Sequence, residues 1–359
     1  VLRKRYDVAE LTAFVTHALA STGVRGEDAA LAATVLVASD VRGIESHGVA
    51  RLERFYVDRI RDGVIDPRGD ARVLRETPTT LSVDANNGLG HPVSVRTMRR
   101  TIEKARETGA AFATVCRSNH FGIAGYYAML ALEADCIGIA STNAGRLAAP
   151  SDGRELMLGT NPFAYALPAA EGDSFVLDMA TTTVALGKLE IAKRLGKPLL
   201  PGWAIDANGR PTTDPDAGLG GALLPLGGFG SDNGGHKGFG LGLLAQILCA
   251  TLGGGTLVSE MPSRFETLNP SITSHFFGAI RIDAFRDPAD FKRDLASLLQ
   301  QMRASAPAPG FDRVYTAGEP EALRTAEHLR EGIGLDPVVV ESLKRTAEKL
   351  GIDPPLERP

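Results

Sequence analysis

Cysteine is scarce in this 359-residue chain: Cys116, Cys136 and Cys249 are odd in number, far apart and form no CxxC. Such usage builds no disulfide framework and points to a reducing, cytoplasmic home. An excess of either charge is also missing. The 39 basic and 43 acidic residues leave a net −4, which offers no general basic field for nucleic acid or anionic lipid. No apolar run reaches the length of a membrane span, so neither nucleic acid nor membrane is expected as a partner. The opening VLRKRYDVAEL lacks an apolar h-region and does not read as a secretory signal. GxSxG and HExxH are absent, as is the GxxxxGK[ST] of a P-loop. No strand–GxGxxG–helix unit is visible, because NNGLGHPVS lacks the third glycine. An elbow hydrolase and a zincin therefore have no support, and an ordinary Rossmann domain is not expected. No metal site is expected, although three dispersed histidines meeting at an ion is the alternative that elemental analysis would address.

What is present is an ordinary globular composition with 40 glycines, a glycine share above average. The length suggests two domains, or three. Apolar spacing predicts helices over LTAFVTHALA, residues 27–41 and VARLERFYVDRIRDG. After Pro67 the texture turns mixed. ARVLRET, TTLSVDA, AAFATVCR, CIGIASTN, FAYALPA, SFVLDMA and SHFFGAIRIDAF read as strands, interleaved with helices near 93–108, 122–134 and 183–196. A glycine-rich segment, 227–235, opens a nearly all-apolar and hence buried helix, and three further helices end the chain. The outline is helical, mixed, helical: an α/β fold of the α+β type. The simplest packing joins residues 1–70 and 285–359 as one discontinuous helical domain beside a central α/β domain, 71–284.

Three histidines sit in small, polar, glycine-rich settings: His47 in RGIESHGVAR, His120 in CRSNHFGIAG and His236 in DNGGHKGFGLG. Each stands where a helix is predicted to begin, a place that favours anions and tunes an imidazole. His17, His91, His275 and His328 have ordinary contexts and read as structural. Arg51 follows His47 by four residues and shares its face if a helix starts there. The pair suits a 2-oxo or 2-hydroxy acid: the guanidinium clamps the carboxylate, the imidazole gives or takes the proton, and Ser46 holds either. The plain alternative is a capped helix start with a surface arginine. The run 234–242, with His236 and Lys237, suits a pyrophosphate or carboxylate; a surface loop is the alternative. Asp178 ends a strand in FVLDMATT and can meet ribose hydroxyls or simply cap a helix. Thr160, Asn161 and Pro162 form a turn that could line the same cleft.

Taken together, DVRGIESHGVARL, SNHFGIAGYYA, GTNPFAYALP, DMATT, GWAIDANGRPTTDP, GGHKGFGLGLL and AGEPE resemble the type-2 malate/L-lactate dehydrogenase family. That family also holds sulfolactate and ureidoglycolate dehydrogenases, diketogulonate reductase and piperideine-2-carboxylate reductase. The motifs run in order from Asp40 to Glu321, and the helical ends fit too. The resemblance implies a non-Rossmann, largely antiparallel central sheet wrapped by helices, a helical domain from both chain ends, and a homodimer. It implies NAD or NADP as cofactor and a small 2-oxo or 2-hydroxy acid as substrate, malate or L-lactate foremost. Reduction of a cyclic imine acid or diketo sugar acid is the alternative within the fold, and a non-catalytic dinucleotide sensor the alternative outside it. Carried over by motif, His47 and His120 are the catalytic pair, with Ser46 orienting His47. Members use either position as proton carrier; His47 is favoured here, with His120 near the nicotinamide. Arg51, Thr160 and Lys188 would meet substrate. Lys188 stands where the imine reductase carries an acidic residue. The cofactor would run past Phe121, Gly122, Asp178, Met179, Ala180, His236, Lys237, Asp312, Arg313, Gly318 and Glu319. Two features depart from the family: Ala317 replaces the usual proline in AGEPE, and the glycine-heavy loop before His236 is expected to need cofactor for its ordering.

Overall fold

A computed structural model describes residues 3–261 and 273–358. The chain begins with strand β1 (Lys4–Tyr6) and helices α1 (Val8–Ser21) and α2 (Gly26–Val41). Buried Leu11, Phe14, Val15, Ala18 and Leu19 recur along α1 at helical spacing. The predicted third helix is not a single α-helix. Two 3₁₀ turns, Glu45–His47 and Val49–Arg51, lead into a π-helical stretch, Leu52–Val57, and only then into α3 (Asp58–Arg61).

Strands β2 (Arg72–Glu76), β3 (Thr80–Asp84), β4 (Ala110–Ser118), β5 (Cys136–Thr142), β6 (Phe163–Leu167) and β7 (Phe175–Met179) follow, with α4 (Gly90–Thr108) and α5 (Ala124–Met129) between them. Helix α4 starts three residues before the sequence expectation. Gly90 lets it do so, since a Cβ there would lie 2.2 Å from the Asn119 carbonyl oxygen. Next come α6 (Leu186–Arg194), β8 (Ala204–Ile205), β9 (Pro211–Thr212), α7 (Pro215–Gly220), β10 (Ala222–Leu223) and α8 (Gly235–Gln246). The strand β11 (Thr273–Arg281), α9 (Pro288–Arg303), α10 (Glu319–Glu331), β12 (Ile333–Leu335) and α11 (Pro337–Leu350) complete the chain. Helices α9 and α11 each start at an Asp-Pro pair whose carboxylate accepts backbone N–H groups of the first turn.

The main sheet has the order β2-β3-β4-β11-β5-β6-β7, and β3–β4 is its one parallel pairing among the described residues. It is a mixed α/β architecture around a mostly antiparallel sheet. Neighbouring residues of a strand point to opposite faces. Phe277 accordingly joins the core under α4 and α5 with Met98, Val115 and Tyr127, while Phe276 packs with Ile139 and Cys249 on the other side. A separate core draws on both chain ends, uniting α1, α2 and the Val49–Val57 stretch with Ile333, Leu335, Val340, Leu343 and Ala347. Helix α9 contributes nothing to that core and packs instead against the turns Ala170–Gly172 and Ile282–Ala284. Strands β1 and β12 pair antiparallel and tie the ends together. All three cysteines are buried and unpaired. No helix among the described residues is long and apolar enough to cross a membrane.

Candidate active site

The strand pairings align one edge of the sheet. Strands β4, β5 and β7 run the same way and β6 runs against them. The segments after β4 (Asn119–His120), at the end of β7 (Asp178–Ala180) and before β6 (Thr160–Pro162) therefore share that edge. Against it lies the loop after α2, which carries Ser46, His47 and Arg51.

His47 and His120, 73 positions apart, stack with ring centroids 5.6 Å apart and planes 19° from parallel. The Ser46 hydroxyl lies 2.9 Å from His47 Nδ1. Arg51 Nε donates to the Ser46 carbonyl at 2.5 Å, and its guanidinium lies 4.8 Å over the Phe55 ring. Arg51 makes no ion pair among the described residues, so its terminal NH₂ edge is open to a carboxylate. Burial, followed by the Arg51 charge, pulls His47 down to about 4. Burial, aided by His47, His91 and Arg51, holds His120 well below the usual imidazole range. Both rings are neutral near pH 7.

His120 is gripped from behind. Tyr56 Oη hydrogen-bonds its Nδ1, and the Gly122 N–H donates to the same nitrogen at 3.3 Å. A backbone N–H can only donate. Nδ1 is thereby assigned as the acceptor, which puts the His120 proton on Nε2. Tyr56 is fully buried, 4.9 Å from the His91 ring. On the opposite side of the same stretch, Glu53 takes hydrogen bonds from Ser342, Arg345 and Lys349 of α11, at 2.7, 3.0 and 3.3 Å. The π-helical turn is thus pinned between α11 and His120.

Asp178 sits one link further along. Its Oδ2 accepts the Gly125 N–H at 2.7 Å. Burial raises its carboxyl to about 6, against the Gly125 bond and the Arg42 charge. Thr181, three residues on, donates through its backbone N–H to the Thr160 carbonyl at 2.9 Å and accepts Leu226 N–H at its own carbonyl. Asn161 Nδ2 reaches the Gly242 carbonyl at 2.9 Å. With Gly238 N–H donating to the Leu226 carbonyl at 3.2 Å, these bonds tie Thr160 and Thr181, next to the Asp178–Ala180 segment, to α8, at whose start His236 and Lys237 are exposed. Gly318 lies against β7, a Cβ there being 2.8 Å from Val176 Cβ, and Val176 N–H donates to the Ala317 carbonyl at 3.1 Å.

Several expected site residues are placed differently. The Phe121 ring faces the core, stacked on His275 at 4.3 Å and on Tyr127 at 4.7 Å, so only its backbone borders the cleft. Arg313 is bound to Glu319 and lies over Tyr315, and Glu319 also takes Arg303 at 2.8 Å. Both Arg313 and Glu319 are thus engaged with each other. Asp312 is exposed, with no side-chain bond among the described residues. Lys188 is exposed on α6 and makes no bond or ring contact with His47, His120 or Arg51. The loop before His236 closes through its own backbone, Gly235 N–H to Gly230 O at 3.1 Å, and through two Ser231 bonds to Asp152. No group of metal-ligating residues gathers among the described residues.

The sequence model for malate/L-lactate dehydrogenase matches residues 6–344. The chain belongs to the malate/L-lactate dehydrogenase family. It is 42% identical over 344 residues to the malate dehydrogenase of Pyrococcus horikoshii, covering 96% of this chain and 94% of that one. The L-sulfolactate dehydrogenase of Methanocaldococcus jannaschii is 35% identical over 339 residues, with 94% and 95% covered. A crystal structure of malate dehydrogenase from Entamoeba histolytica superposes with a TM-score of 0.93 at 34% identity, covering 99% of this chain and all of that one. This malate/L-lactate dehydrogenase-type oxidoreductase also holds site residues that sequence reading missed: Tyr56, Phe55, Gly125 and Arg42. Tyr56 sits in an apolar stripe and reads as core. Its one available signal is its place five residues beyond Arg51, which becomes meaningful only once the π-helical turn is known.

Proposed function

We propose that the protein transfers a hydride reversibly between NAD(P)H and C2 of a small 2-oxo or 2-hydroxy acid, malate or L-lactate foremost. The observation that carries this reading is the stacked pair of neutral imidazoles beside an arginine with no ion partner among the described residues. The residues fit a dinucleotide. Asp178 has one oxygen bonded to Gly125 and the other without a hydrogen bond among the described residues, suited to a ribose hydroxyl. Gly122, at φ +80, and Gly125, whose Cβ would lie 2.8 Å from Asp178 Oδ2, leave bare backbone beside it. Such a cofactor supplies or accepts the hydride.

The chain's own residues do the rest. The terminal NH₂ edge of Arg51 holds the substrate carboxylate. With His47 Nδ1–H donated to the Ser46 hydroxyl, His47 Nε2 is free to take the hydroxyl proton during oxidation and return it during reduction. His120 Nε2–H donates a hydrogen bond to the same oxygen as charge gathers there. The mostly antiparallel sheet supports a cofactor held outside a Rossmann unit, and the core shared by α1, α2 and α11 supports a discontinuous helical domain. Three unpaired cysteines fit a cytoplasmic location.

A spectrophotometric screen of NADH and NADPH against pyruvate, oxaloacetate and piperideine-2-carboxylate tests the reading. Oxidation with a 2-oxo acid is expected; no oxidation across the panel rejects it. Arg51→Lys should raise KM for the carboxylate substrate about tenfold, roughly the worth of one charge-assisted hydrogen bond. An unchanged KM removes the clamp.

We also propose a homodimer through α8. From Gly238 to Ser259 there is no charged residue. The apolar helix, expected to be buried, instead leaves Leu241, Leu243 and Leu244, and Ile247 and Leu252 just beyond it, 39–63% exposed in the single chain. Leu252 carries the patch into a groove lined by Leu74, Phe112 and Phe276. An uncharged apolar face of this kind marks an association surface. Wild-type protein should sediment at twice its 37.9 kDa chain mass, and Leu244→Glu with Ile247→Glu should return it to the monomer. A monomeric wild type ends this part of the reading.

A further inference from the structure

The last turn of α2 hides an acid that no step above uses. Asp40 is 1% exposed. Its Oδ2 accepts the Val49 N–H at 2.7 Å. Its own carbonyl is held from behind by Gly43 N–H and by His328 Nδ1 of α10, each at 2.9 Å. Gly48 lies flat over the carboxyl group. A Cβ at Gly48 would stand 2.1 Å from Asp40 Oδ1 and 2.2 Å from both Cγ and Oδ2, so no residue but glycine fits while Asp40 is there.

Position 48 separates the two 3₁₀ turns. One ends in His47 and the other begins at Val49 and ends in Arg51. The Gly48 carbonyl accepts Arg51 N–H at 2.9 Å. The Asp40 contact therefore fixes the joint between the imidazole and the guanidinium. We infer that Asp40 is a positioning residue: it seats Gly48 and Val49 so that His47 and Arg51 face one substrate molecule at a set separation. This rests on the reading of His47 and Arg51 given above. Asp40 touches neither substrate nor cofactor.

Burial pushes the Asp40 carboxyl up to about 8, against the Val49 bond. The neutral acid thus predominates at pH 7, and asparagine matches it in charge and keeps an oxygen for Val49 N–H. Removing the acid frees the space that a Cβ at 48 would need.

The test is a set of three variants: Gly48→Ala, Asp40→Asn and the double Asp40→Ala/Gly48→Ala. Each is assayed for kcat and KM with the best 2-oxo acid, for NAD(P)H binding by fluorescence, and for thermal midpoint. A displacement of about 1 Å at a reacting group costs on the order of 10²-fold, so Gly48→Ala should lose about that much in kcat/KM with cofactor affinity unchanged. The double variant should recover at least about tenfold of this loss, because the clash is gone. Asp40→Asn should stay within about fivefold of wild type. A Gly48→Ala enzyme as active as wild type, or a double variant no better than Gly48→Ala, overturns the inference. If wild type itself oxidises no NAD(P)H, the functional reading has failed instead. The latch is then judged by thermal midpoints alone: lowered by Gly48→Ala and restored in the double variant if it holds, unrestored if it does not.

Discussion

Replacing His47 with asparagine should lower turnover by about 10²–10⁴-fold, the usual worth of a positioned proton carrier. Cofactor affinity should change little, because Asp178, Gly125 and the α8 start are held by other bonds. The pH dependence follows from why His47 is neutral. Burial is the larger cause and the Arg51 charge the second, together bringing it to about 4. Oxidation of a hydroxy acid needs the neutral imidazole. Its kcat/KM should therefore be level near pH 7 and fall as pH drops through about 4. A carboxylate bound on Arg51 cancels the second cause and raises the His47 pKa in the complex. The limb in kcat should then lie at higher pH than the limb in kcat/KM. A His47→Asn enzyme with near-normal turnover, or a wild type whose two limbs coincide, removes His47 from the proton step.

The second large effect is at His120. Its Nδ1 is occupied by Tyr56 and Gly122, leaving Nε2–H as the group offered to the cleft. Loss of a preorganised donor to a developing oxyanion costs about 10²–10³-fold in kcat. His120→Asn should show that loss mainly in kcat. Tyr56→Phe should cost less, since Gly122 still favours the same tautomer. A His120→Asn enzyme that loses only substrate affinity would assign His120 to binding rather than to chemistry.

Part of this was readable in one dimension. Ser46, His47 and Arg51 fall within six residues, and covalent geometry alone keeps them near one another. The apolar period of α1 and α11, the Asp-Pro starts of α9 and α11, and the continuous apolar run of α8 are local signals, and the helices stand close to where those signals put them. The stretch after His47 defeated the same logic. An i, i+4 reading assumes α geometry, whereas two 3₁₀ turns and a π-helical segment occupy residues 45–57. Two consecutive residues, Phe55 and Tyr56, therefore both reach the His120 ring, with centroids 5.4 and 5.9 Å away, which the period of one α-helical face does not foresee. His91 and His275 look ordinary in sequence because nothing local marks them. Both are fully buried beside the site, His275 between the hydroxyls of Thr142 and Ser118 at 2.8 Å each.

Composition and ordered motifs were enough to identify the family, a reading the family match and relatives with at least 35% identity then established. Local spacing was enough for the helices and for the Ser46–Arg51 group, since both depend on neighbours along the backbone. Only the fold decided that His120 meets His47, that Asp178 and Thr160 share their edge, and that Phe121 turns inward. Those outcomes depend on the order β4-β11-β5-β6-β7, where β11 enters from more than 130 residues beyond β5. Pairing across such a distance is set by which faces can be buried together, a property of the packed chain that no stretch of it expresses alone.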